Sequence, residues 1–173
     1  MPEGSPGRYF VLLKHKAMKD HFKENREQFM VLGILITFLV PKSATNGKYA
    51  IWEETVPPLA GPPPHTHSDE EVFYVLEGEF EFMLNGALIP ATAGSVIHIP
   101  SGDLHNYRNT GNQRGKLLTV CTPGLLEDYF HTVGQLVKSA ADIPDLDLAP
   151  DFSKLDAGKA LTLAPQYEVT FHL

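Results

Sequence analysis

Apolar and polar positions recur with two different periods along this chain of 173 residues, and the change of period divides it. Between residues 31 and 122, short runs of branched and aromatic residues sit between turn signals, the pattern of half-buried strands. The run 31–40, VLGILITFLV, stops at Pro41 and reads as one core strand. Asn46-Gly47 suits a tight turn at positive φ, and a strand over 49–56 follows it, with Trp52 as a packing residue. Residues 71–76 and 79–84 read as a hairpin around Glu77-Gly78. Phe73, Val75, Phe80, Phe82 and Leu84 would share its inner face, with Glu79, Glu81 and Met83 turned to water. Asn85-Gly86 is the strongest hairpin signal in the chain and leads into 88–91. Strands over 95–99 and 116–122 complete the series, and a short strand at 9–13 precedes it. The charged segment 14–28 is either a solvated connection or a lid.

Beyond Pro123-Gly124 the period lengthens. Leu125, Leu126, Tyr129, Phe130, Val133 and Val137 recur three and four apart, with Glu127 and Asp128 in the first turn, as an amphipathic helix requires. A loop rich in Pro and Asp over 141–151, a weaker helix over 153–163 and a terminal strand over 168–172 follow. Seven strands and late helices predict an all-β fold, an antiparallel barrel with C-terminal helical additions. One domain over 1–173 is expected, its barrel core at about 31–122 and its helical extension at 125–173.

Composition changes this picture little. With 43% hydrophobic and 20% charged residues the chain is an ordinary globular protein. A net charge of −7 without a Lys/Arg stripe argues against nucleic acid as a partner. The apolar run 31–40 is far shorter than the roughly 20 residues of a spanning helix, and the start lacks the order of a secretory signal, so no membrane partner is expected. The lone Cys121 has no internal disulfide partner, fits a reducing, cytoplasmic setting, and reads as a small buried hydrophobe.

The chemistry is concentrated at His65-Thr66-His67. Two histidines one residue apart on an extended strand project to one face and form a chelating pair. Glu71 and Gly78 follow, then a second cluster of Gly94, Pro100, Gly102, His105 and Asn109. Tyr107 and Asn109 share the parity of His105, whereas Arg108 does not. His15, His21 and His98 have no partners of ligand type and read as ordinary core or surface residues.

These two clusters resemble the signature motifs of the cupin superfamily, H-x-H-x3-E-x6-G and G-x5-P-x-G-x2-H-x3-N. The second matches at every defined position. The first departs in its leading glycine, which usually stands six residues before the first histidine and here, as Gly61, stands four before it, followed by Pro62, Pro63 and Pro64. The short spacer 79–93 suggests a compact, single-barrel member. The stretch P-G-L-L-E-D-Y-F after the last strand resembles single-domain cupins described as quercetin-dioxygenase-like.

The resemblance implies a metal site of His65, His67, Glu71 and His105, holding one divalent transition ion (Fe, Mn, Ni, Cu or Zn) with positions left open for water, O2 or substrate. It casts Asn109 as structural. It implies a dioxygenase acting on an apolar phenolic or enolic molecule, with Glu71 as ligand and catalytic base, and Phe73, Val75, Phe80, Phe82 and Tyr107 shaping the pocket. Two other readings stand beside it: a non-catalytic module that binds a metal or small ligand, and an isomerase. A homodimer is expected, paired through an edge strand at 31–40.

Overall fold

The structure, a computed structural model, describes residues 26–173. The strand expected at 9–13, most of the segment 14–28, and His15 and His21 lie outside the described residues.

The first half of the chain supplies β1 (Gln28–Val31), β2 (Ile34–Val40), β3 (Ala50–Val56), β4 (His65–Thr66), β5 (Glu70–Glu77) and β6 (Glu79–Leu84). The second supplies β7 (Ala87–Thr92), β8 (Val96–Ile99), β9 (His105–Asn109), β10 (Gly115–Thr122), β11 (Gln135–Leu136) and β12 (Thr170–Phe171). Two helices, α1 (Leu125–Val133) and α2 (Ala157–Leu163), lie late in the chain. The strands form two antiparallel sheets, one in the order β11-β1-β2-β3-β10-β5-β8 and the other in the order β12-β4-β9-β6-β7. This is the all-β jelly-roll architecture with late helices that the strand pattern predicts.

The inner faces meet in a core where Val56, Phe80, Phe82, Val75, Ile99 and Leu117 are almost fully buried. Phe80, Phe82, Val75, Ile99 and Leu117 alternate on their strands with exposed or half-buried neighbours, so pattern and packing agree there, whereas Val56 follows a buried Thr55. Trp52 is fully buried, its indole set edge-on to Phe38 and Phe130.

Four expectations need correction. The apolar run 31–40 is two strands joined by a tight turn at Leu32-Gly33, where Leu32 has a φ of 49°. Leucine rarely takes that conformation, so the bend is marked by Gly33 alone, whose φ is 84°. Next, β5 and β6 do not form a hairpin: β5 pairs with β10 and β8, β6 with β7 and β9. Glu77-Gly78 is a corner where the chain changes sheet, and alternation is blind to that difference. Third, β2 is paired on both sides, by β1 and β3, and offers no edge to a second subunit. Last, α1 ends at Val133, and the residues after Gly134 pair with β1 as β11. In the C-terminal part the weaker helix begins at Ala157, and the terminal strand is only Thr170–Phe171.

Candidate metal centre

Strand β4 pairs with β9 so that His65 stands directly opposite His105. His67 follows one residue past the end of β4, and β5 of the facing sheet brings in Glu71. Ring centroids lie 4.3 Å apart for His65 and His105, 4.8 Å for His67 and His105, and 5.4 Å for His65 and His67. One ligand nitrogen from each histidine lies within 4.8 Å of the other two, and all three residues are buried.

The rings are oriented by the backbone. Nδ1 of His65 is 2.8 Å from the Pro63 carbonyl, Nδ1 of His67 is 2.9 Å from the Asp69 carbonyl, and Nδ1 of His105 is 2.8 Å from the Asp103 carbonyl. A carbonyl only accepts, so each Nδ1 carries its proton and each neutral ring is left with a lone pair on Nε2. Glu71 Oε2 lies 3.1 Å from His67 Nε2 and 3.3 Å from His105 Nε2. Lone pairs and a carboxylate converging in a buried space repel unless a cation, either a proton or a metal ion, stands among them. Three imidazole nitrogens and one carboxylate oxygen, with no thiolate, are a donor set that suits a divalent transition ion. The residues therefore fit the group that the motifs imply.

The same competition appears in the ionisation of these groups. Burial, reinforced by the neighbouring His105 and His67, pushes His65 down to about 3. Burial pushes His67 down as well, but its bond to Glu71 outweighs this and leaves it raised. For Glu71 burial acts upward, and with a proton instead of a metal ion among these groups the hydrogen bonds from His105 and His67 overcome it, holding the carboxyl down to about 2.

A partly enclosed cavity of about 60 Å³ adjoins the centre. His65, His105 and Glu71 form its polar end, and Ile34, Ile36, Leu126, Tyr129 and Phe130 are among its apolar walls. Among the described residues no lysine or arginine lines it. Of the pocket residues expected from the sequence, Phe73 and Tyr107 do line it. Val75, Phe80 and Phe82 do not; they are core residues, and Phe80 and Phe82 pack against the Tyr107 ring at centroid distances of 6.1 and 5.5 Å.

Three features escaped the sequence reading. Glu54 on β3 lines the cavity and is 4% exposed. Its Oε1 accepts from Trp52 Nε1 at 2.9 Å and Thr119 Oγ1 at 2.8 Å, and its Oε2 accepts from the Tyr107 hydroxyl. Burial pushes this carboxyl up, against the pull of its three donors. Phe171 of β12 lies against His65 at a ring distance of 5.7 Å and forms another wall. Asp69, 1% exposed, accepts the backbone N–H groups of Gly124 at 3.2 Å and Leu126 at 2.8 Å, which ties the start of α1 to the loop that holds His67. Little local in the sequence marks these roles: apart from Trp52, two residues from Glu54, each of these partners is dozens of residues away.

The remaining residues sit as follows. Asn109 is fully buried and donates from Nδ2 to the carbonyls of Val56 and Gln113, both at 2.8 Å, a structural clamp. His98 is exposed and pairs with Glu70 at 2.6 Å. Arg108 is exposed. Cys121 is buried and donates to Asp69 Oδ2 at 3.2 Å.

Gly61 explains the shifted glycine of the first motif. A Cβ there would lie 1.9 Å from the Tyr107 carbonyl oxygen, so only glycine lets the proline segment pass against β9.

Comparison with known proteins gives a consistent picture. Residues 52–121 match the family model described as a cupin domain. Auxin-binding protein 1 of Arabidopsis thaliana is 35% identical over 102 residues, covering 50% of this chain and 52% of that protein. Quercetin 2,3-dioxygenase of Bacillus subtilis is 36% identical over 64 residues, 37% of this chain and 19% of the relative. An oxalate-binding protein of Thermotoga maritima is 36% identical over 84 residues, 47% of this chain and 69% of the relative. The chain thus spans about half of the first relative and a fifth of the second. Among solved structures, a predicted oxalate decarboxylase from Thermotoga maritima superposes with a TM-score of 0.55 at 27% identity, covering 61% of this chain and 98% of that one. Among the described residues, no helix is long and apolar enough to cross a membrane.

Proposed function

The chain belongs to the cupin superfamily, and from that premise we propose that it is a metal-dependent dioxygenase acting on a small enolic or phenolic molecule. The observation that carries this reading is the set of three buried imidazoles, each held by Nδ1 on a backbone carbonyl so that Nε2 faces a common point beside Glu71 and an apolar cavity. His65, His67 and His105, with Glu71 as a fourth ligand, would hold one divalent ion of Fe, Mn, Ni, Cu or Zn. A redox-active ion bound there supplies a Lewis acid for a substrate oxygen and a seat for O2. Glu71 Oε2 faces two of the imidazoles, so its role is that of a ligand. The apolar walls, Phe73, Phe130 and Phe171 among them, exclude water and favour an uncharged substrate.

Size narrows the substrate. A cavity of about 60 Å³ is well under half of the ~150 Å³ cavity that takes benzene, so it admits only the reacting end of a molecule unless a wall moves. Among the described residues a cationic group to receive a phosphate is missing from the lining, which weighs against a sugar-phosphate isomerase.

The same small cavity, together with two relatives named as binding proteins, favours as second reading a module that binds a metal and a small ligand without turnover. Oxygen uptake separates the two. Protein loaded in turn with each candidate ion is mixed with small enols, single-ring phenols and a flavonol. Consumption of O2 with the small substrates is expected; saturable binding without consumption for any ion contradicts the oxygenase and leaves the binding module.

A further inference from the structure

The cavity has a second carboxyl that the metal centre does not use. Glu54 Oε1 receives two donors, Trp52 Nε1 and Thr119 Oγ1, and Oε2 receives one, the Tyr107 hydroxyl. A carboxylate has about four acceptor positions. Among the described residues one position on Oε2 is therefore open, on a residue that lines the cavity together with His65, His105 and Glu71. Both oxygens already have a donor, so this further position on Oε2 is a spare acceptor. Three donors drawn from β3, β9 and β10 hold the carboxyl in place, so its direction is set before any ligand arrives.

We propose that Glu54 is the ligand-recognition group of this pocket: Oε2 accepts a hydrogen bond from a ligand hydroxyl whose neighbouring oxygen faces the three imidazoles. The ligand class is then an α-hydroxycarbonyl or enol end group, two oxygens on adjacent carbons, which is also about what the cavity admits. This inference deepens the reading above and rests on it for the placement of the second oxygen. Tyr107 positions Glu54; it shares the same carboxylate oxygen and packs its ring on Phe73, Phe80 and Phe82.

A purely structural carboxyl, there to join three strands, would give the same hydrogen bonds within the protein but would be indifferent to the ligand. Calorimetric titration of Co(II)-loaded protein with hydroxyacetone and with acetone, which lacks the hydroxyl, distinguishes the two. In the wild-type protein hydroxyacetone binds more tightly than acetone. In Glu54→Gln, which keeps an acceptor for Trp52 and Thr119 and presents an N–H on the other side, the preference falls by about tenfold, the worth of one hydrogen bond to a charged group. An unchanged preference in a variant that folds and keeps its ion overturns the inference. Should that variant not fold, Tyr107→Phe carries the test: it keeps the carboxylate but removes the hydroxyl that fixes the direction of Oε2, so the preference falls severalfold, and an unchanged preference overturns the inference. Metal content measured on the same samples separates the failures. Loss of the ion from wild-type protein contradicts the metal reading, whereas a retained ion with a preference that ignores Glu54 contradicts this inference alone.

Discussion

Asp69 and Leu126 join the two parts of the molecule that frame the centre: Asp69 Oδ2 accepts the Leu126 N–H at 2.8 Å while the Asp69 carbonyl orients the His67 ring through Nδ1 at 2.9 Å. Helix α1 has no side-chain cap of its own, and its first turn carries the unpaired N–H groups of any helix start. A buried carboxylate from the β4–β5 loop satisfies two of the backbone donors there and favours the positive end of the helix. The helix then turns Leu126, Tyr129 and Phe130 onto the cavity.

Asp69→Ala leaves buried donors at Gly124 and Leu126 without a partner. A loss of about 2–4 kcal/mol in stability is expected from chemical denaturation. Because His67 is oriented by the same loop, affinity for a divalent ion falls as well, and titration of the folded variant measures it.

Gly61→Ala places a methyl group against the Tyr107 carbonyl, where the backbone has to give way. The expected result is a lowered unfolding temperature together with weakened metal binding, since the displaced proline segment carries the Pro63 carbonyl that orients His65. A variant with native stability contradicts this close approach.

At alkaline pH two tyrosines should resist ionisation. Burial pushes Tyr129, whose hydroxyl donates to the Ala160 carbonyl at 3.0 Å, up to about 12. Burial, then the neighbouring Glu54 charge, raises Tyr107 well above the usual range. Both are neutral in the folded state above pH 10, where the unfolded chain would have released those protons. Their contribution to stability is present below about pH 10 and is lost as pH rises toward 12 and beyond. Tyrosinate absorbance and unfolding by circular dichroism, followed together over pH 9–12.5, should show these two residues ionising only as the fold is lost.

Cys121 should be inert in the folded protein. It is fully buried, it donates to Asp69, and burial pushes its thiol up, so the reactive thiolate is absent. A disulfide reagent such as Ellman's should react with it only in denaturant, and rapid reaction with the native protein contradicts the packing.

The centre was largely legible in the sequence because its spacing is local. His65 and His67 lie on and just past β4, Glu71 follows four residues later on β5, and His105 follows a Pro-Gly turn, so the short spacing of the two motifs marks all four although they come from both sheets. Glu54 was not legible, since its three donors come from Trp52, Tyr107 and Thr119 on separate strands, and a lone glutamate on a strand looks like a solvated one. The fold shows the same division. Asn85-Gly86 marked the β6–β7 hairpin through its turn chemistry, while Leu32-Gly33 hid a turn inside an apolar run and Glu77-Gly78 hid a change of sheet. Strand β12 has only two residues, yet it places Phe171 on His65; an element that short has no period to read.

The central claim is that the three imidazoles hold a metal ion. Protein is incubated with a divalent transition ion, freed of excess by gel filtration, and analysed for metal, alongside His65→Ala and His105→Ala. Close to one ion per chain in the wild type, with little in either variant and a raised unfolding temperature only for the loaded wild type, is the predicted result. A wild-type protein that retains no ion from the Fe, Mn, Co, Ni, Cu or Zn series, or variants that retain as much as it does, would contradict the claim.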